Sequence, residues 1–168
     1  MIEYNYLFSI GCLVTATLAI ALSFLSFWSS QFTPHARPLG FLLLFSSIYA
    51  FGYAFEIMKA DPEWFFLWLR VEYFGLSFIA GSFLWLSVEF TGRFKAHKPI
   101  ILVALAGVSL FFLIVVLTND FHHLYYTSIE VHYLGLFPSA DLGRGFFYIL
   151  NSLWLCGSLL LCLILFSH

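Results

Sequence analysis

Apolar residues run along this chain in five long blocks separated by short polar or proline-bearing joints. The blocks cover about Tyr6 to Trp28, Leu39 to Met58, Trp64 to Thr91, Ile100 to Thr118 and Phe146 to Phe166. Each approaches or exceeds the roughly twenty residues a helix needs to cross a hydrocarbon core about 30 Å thick. Pro34 and Pro38 punctuate the first joint, Pro62 the second and Pro99 the third, where helices stop or restart. The pattern predicts an all-α polytopic membrane helical bundle of five transmembrane helices, a single domain over residues 1–168. The longest joint, Asn119 to Gly145, contains LYYTSIEVHYL, which alternates and is rich in β-branched and aromatic residues. It predicts a short hairpin cap, broken by Gly135, Pro138 and Gly143.

Composition closes off the soluble alternatives. Hydrophobic residues are 62% of the chain and charged residues 10%, and a mean hydropathy of +0.95 is more apolar surface than a core of this size can hide. The seven basic residues form no long run, so nucleic acid is not an expected partner. Cys12, Cys156 and Cys162 all fall inside apolar blocks without metal-ligand spacing, as packing residues do. Glu3 stands where a cleaved signal peptide carries Lys or Arg, so the first block reads as a retained span. Orientation follows from Arg37, Arg93, Lys95 and Lys98 on one side against Lys59 and Arg144 on the other. The excess puts the first and third joints in the cytoplasm, the amino terminus outside and the carboxyl terminus inside.

The third block, Trp64 to Gly92, is the natural centre because it carries ionisable groups within the membrane. Such groups are costly there and tend to face other helices or a wet cavity. Glu56, near the end of the second block, lies at nearly the depth of Arg70, and the two are expected to pair. With Glu72 they outline a polar ligand pocket beneath Asp120, His122 and His123, walled by Tyr53, Tyr73 and Trp68. The plainer alternative is a register-fixing Glu56–Arg70 pair, with Glu72 reaching for the interface. Ser46, Ala50 and Ala54 recur every four residues as a close-packing stripe, and the stretch from Gly75 to Gly81 does likewise. Glu89 is expected to meet Arg93 one turn on, and Asn151 to donate a hydrogen bond between helices. His122 and His123 with Asp120, Glu130 and His132 lack the spacing of a metal site. No catalytic motif, metal or cofactor is expected.

Four stretches carry a resemblance: ARPLGFLLLFSSIYAFGYAFEI (Ala36 to Ile57), LWLRVEYFGLSF (Leu67 to Phe78), LWLSVEFTGR (Leu84 to Arg93) and LTNDFHHLYYTS (Leu117 to Ser128). In this order they resemble the amino-terminal seven-helix membrane region of bacterial sensor histidine kinases. The resemblance implies a signal-sensing input module of a two-component system in the bacterial cytoplasmic membrane. It would take an unknown small-molecule or lipid ligand and act, through a phosphorelay, on a homodimeric cytoplasmic kinase. It draws attention to Glu56, Tyr73, Gly75, Glu89, Thr91, Gly92, Asn119, Asp120, His122 and His123. Against the seven spans of that family the chain shows five, with a shorter outer loop, no phosphoacceptor helix and no nucleotide lid. It therefore reads as a fragment of a sensor and not itself as an enzyme. The rival classes are a small transporter or channel, which would call for polar groups at mid-depth or broken helices, and a structural membrane subunit.

Overall fold

One helix is the hub of the bundle. In the computed structural model, which describes residues 2–33, 35–58, 61–134 and 137–167, the elements are α1 (Ile2–Ser29), α2 (Ala36–Glu56), α3 (Pro62–Thr91), α4 (Lys98–Leu117), the single turn α5 (Asn119–His122), β1 (Tyr126–Leu134), β2 (Phe137–Arg144) and α6 (Phe146–Ser167). Five of the helices are long and apolar enough to cross a membrane, as the five blocks predict. The most apolar stretch of α3 is 56% buried, against 17 to 28% for the other four spans. The neighbours α2, α4 and α6 all pack on α3, and α1 packs on α2. Leu18, Leu25, Val103 and Leu163 stay exposed on the outer faces, where acyl chains are the solvent. Pro34, Lys59 and Gly135, and the side chain of His132, lie outside the described residues.

The ends of the spans have local causes. Asp61 caps α3 by accepting from the Trp64 amide at 3.1 Å, with Pro62 in the first turn, where a missing N–H costs nothing. Gly92 closes α3 in the left-handed conformation at φ 64°, as glycine does after a helix. A 3₁₀ turn over Lys95–His97 leads into α4. This reversal corrects one expectation: Arg93 leaves the helical path after Gly92, and Glu89 Oε2 instead takes Lys98 Nζ at 2.6 Å.

Small residues set the helix spacing, though of the four-residue stripe only Ala54 is fully buried. The buried positions of α2 include Gly40, Ser47 and Ala54, seven apart, and Gly52; Ser46 and Ala50 are only half-buried. Ser23 donates to the Gly40 carbonyl at 2.8 Å and Ser9 to the Ala54 carbonyl at 2.6 Å, clamping α1 to α2. Gly75 receives the α2 backbone: a Cβ there would stand 2.6 Å from the Tyr49 nitrogen. Gly81 makes the corresponding approach to α4, at Ser109.

The cap is an antiparallel hairpin in which β1 pairs with β2 from Leu134–Phe137 to Tyr126–Arg144. Pro138 and Gly143 sit within β2 and do not break it. A two-stranded ribbon has only edge strands, where proline is tolerated. Gly143 lies beside an irregularity in the pairing between Tyr126 and Ile129, and any Cβ there would run into Thr127 and Ser128.

Candidate functional site

The hairpin meets the bundle through a set of hydrogen bonds at one end of the spans. Asn119, the first residue of α5, is 8% exposed and turns its amide to Tyr125 and Tyr126, where β1 begins. Its Oδ1 accepts from the amides of Tyr125 at 2.9 Å and Tyr126 at 3.1 Å, and its Nδ2 donates to the Tyr126 carbonyl at 3.1 Å. The Tyr126 hydroxyl bonds to that of Tyr73 on α3. The Tyr125 hydroxyl, in a side chain 1% exposed, accepts from Asn151 Nδ2 on α6 at 2.7 Å. These rings join Phe65, Leu69, Leu113, Val115 and Val116 in one buried cluster. Burial pushes the phenols of Tyr125 and Tyr126 up from their ordinary range, because an apolar surround penalises phenolate. One junction thus ties α3, α4, α6 and the hairpin.

Around it stand the polar residues singled out in the sequence, in two groups. Arg70 pairs with Asp120, its guanidinium reaching across to α5 in a solvent-exposed bridge. The expected Glu56–Arg70 pair is therefore absent, and helix phase explains why: residues two apart on a helix are about 200° apart. With Glu72 turned to α2, Arg70 must face the hairpin. Nor does Glu72 reach for the interface. It is 6% exposed and Glu56 8%, and the two carboxyl groups lie within hydrogen-bonding reach of each other. Tyr53 goes with this second group, stacking at 6.3 Å on Tyr49. Trp68 stacks on Phe55 at 4.4 Å, and Tyr73 belongs to the junction, so the three rings take part in three different sets of contacts.

The histidines shape the turn between α5 and β1. His122 Nδ1 accepts from the Leu124 amide at 3.0 Å, which leaves its Nε2–H to donate to Thr118 Oγ1 at 3.2 Å. Thr118 in turn donates to the Ile114 carbonyl at 2.7 Å. His123 takes the left-handed conformation at φ 51°, closing α5. Among the described residues no group of three metal-ligating side chains converges. A separate crevice of about 350 Å³ lies in the middle of the bundle, lined by apolar residues of α2, α3 and α4 including Phe45, Phe78, Trp85 and Leu105.

The comparison with known families decides what kind of membrane protein this is. A family described as the N-terminal 7TM region of histidine kinase matches residues 12–168. The chain belongs to that family. Neither a curated protein nor a solved structure matches it. Within this histidine kinase sensor region no kinase domain is found in the chain; the five spans make it a multi-pass membrane protein whose surroundings are a lipid bilayer. Asn119 stands out in the sequence through the family's NDFHHL stretch and Asp120 also through its place above the charged groups, whereas nothing singles out Tyr125, Tyr126 or Gly52 within the stretches that contain them. The available signal was an amide residue just past the last apolar turn of a span and a few residues ahead of two tyrosines, since an amide both donates and accepts and can stand in for a strand.

Proposed function

We propose that the chain is the signal-receiving input module of a two-component histidine kinase, set in the bacterial cytoplasmic membrane with the hairpin outside. Arg37, Arg93, Lys95 and Lys98 at the end away from the hairpin support that orientation. The stimulus is a small molecule or a lipid component that engages the hairpin end around Arg70, Tyr73, Asp120 and the His122–His123 turn. The observation that carries this reading is the bonding of Asn119 to Tyr125 and Tyr126 and of Asn151 to Tyr125, where the chain enters the hairpin, together with the Tyr73–Tyr126 bond. A hairpin held in this way cannot shift without moving α3, α4 and α6 against one another. A ligand that prefers one arrangement moves the population of both, and the cytoplasmic ends of the same spans pass the change to a homodimeric kinase and its phosphorelay.

The test is a chimera in which this chain replaces the corresponding region of a histidine kinase, with autophosphorylation measured in membranes. Asn119→Ala and Tyr126→Phe are expected to change basal phosphorylation about fivefold or more, the low end of coupling between sites. Leu163→Ala, on a lipid-facing surface, should leave it unchanged. Unchanged output in both junction variants, with the chimera still in the membrane, would overturn the reading.

A further inference from the structure

On the face of α3 turned away from the hairpin, the bundle brings two acids together. Glu56 ends α2 and Glu72 lies about three turns into α3. Their carboxyl groups lie within hydrogen-bonding reach of each other, both residues are more than nine-tenths buried, and Oε2 of Glu56 and Oε1 of Glu72 find no donor among the described residues. Gly52 makes the room: a Cβ there would stand 2.7 Å from Glu72 Cγ and 2.9 Å from its nitrogen. Among the described residues, the titratable groups close enough to feel the charge of the pair are Cys12 of α1, Tyr49 and Tyr53 of α2 and Tyr126 of β1. None of these is cationic. The Arg70 charge is spent on Asp120, and among the described residues no ion pair involves either acid. Asn5, also buried with an unpartnered Oδ1, stands one turn before Ser9 on α1 at the same end of the bundle.

Two carboxyl groups in contact and away from water, with no counter-charge among the described residues, cannot both be ionised. A hydrogen bond between them requires a proton that belongs to the pair. We infer that Glu56 and Glu72 form a proton-binding site inside the bundle, holding one exchangeable proton between α2 and α3. Its release leaves two adjoining charges and drives the hairpin-end halves of the two helices apart. The site stands on this contact whether or not the bundle signals.

The experiment is infrared spectroscopy of the purified chain in lipid across a pH titration, following the carboxylic-acid C=O stretch. The wild type is expected to show a protonated-carboxyl band that shifts when glutamate alone carries carboxyl-¹³C and disappears as the pH rises. Glu56→Gln and Glu72→Gln should each remove it; Asp120→Asn, Glu89→Gln and Lys59→Gln should keep it. The glutamate label needs no substitution, so the result does not hang on either variant folding. A band that is missing at every pH at which the chain is folded would overturn the inference, as would one that survives both glutamine variants. A band that vanishes when sodium replaces choline at fixed pH would also overturn it, since the pair would then hold a metal cation in place of the proton.

Discussion

At the scale of single residues, Asn119 should matter more than any charge near it. Replacing it with alanine leaves the amides of Tyr125 and Tyr126 unpaired in a buried place, and each such group costs about 1–3 kcal/mol. Asn119→Ala is expected to lower stability by roughly 2–4 kcal/mol, read as the unfolding midpoint in detergent. Arg70→Ala breaks an exposed bridge and should cost at most about 1 kcal/mol. The phenols make a second prediction. Both are pushed up by burial, so the folded chain holds these protons more tightly than the unfolded one. Their contribution to stability is therefore complete below the ordinary tyrosine value of about 10 and is lost as the pH climbs past it. Alkaline titration should show hairpin-end tyrosines ionising late, together with loss of structure, and Tyr126→Phe should flatten that loss. The sequence made Arg70 and Glu56 conspicuous because depth can be counted along a chain. It could not say which way Arg70 faces, because that depends on which side of α3 meets α2. Here Glu72 takes that side.

At the scale of elements, the bounds of the spans were legible to within a few residues because long apolar runs and prolines mark them. The contacts between spans were not. A period of four through Ser46, Ala50 and Ala54 suggested one stripe, whereas α1 bonds to α2 at the carbonyls of Gly40 and Ala54, and α3 uses Gly52 on the adjoining face. Spacing names a face of a helix but not its partner, and α2 has a partner on two faces. The glycines test this directly. Gly75→Ala puts a methyl group against the α2 backbone at Tyr49 and should cost about 1–3 kcal/mol through overpacking. Gly107 has open space where its Cβ would stand, so Gly107→Ala should be neutral or stabilising by up to about 1 kcal/mol, the helix propensity gained. Unfolding midpoints of the two variants under one detergent condition should move in opposite senses or, at the least, differ by more than 1 kcal/mol.

At the scale of the whole molecule, the two ends of the bundle are chemically unlike, and that difference is what the proposed orientation rests on. One end carries the hairpin, the junction tyrosines and Asp61, Glu63, Asp120, Glu130 and Asp141. The other carries Arg37, Arg93, Lys95 and Lys98, with Glu89 held by Lys98. Basic residues in short joints are retained on the cytoplasmic side, while acids contribute little to the choice. The hairpin end should therefore face outward. Thr127, exposed on β1, and Gln31, exposed in the joint after α1, mark the two ends. The native cysteines lie within helices that span the bilayer and can be replaced by alanine to clear the background. In intact cells a membrane-impermeant maleimide should label Thr127→Cys at once and Gln31→Cys only after permeabilisation. The reverse pattern would turn the bundle over, put the junction in the cytoplasm and remove the outer surface on which a stimulus could act. Proton exchange at Glu56 and Glu72 would then follow the internal pH and not the external one, because the pair lies at the hairpin end whichever way the chain is inserted.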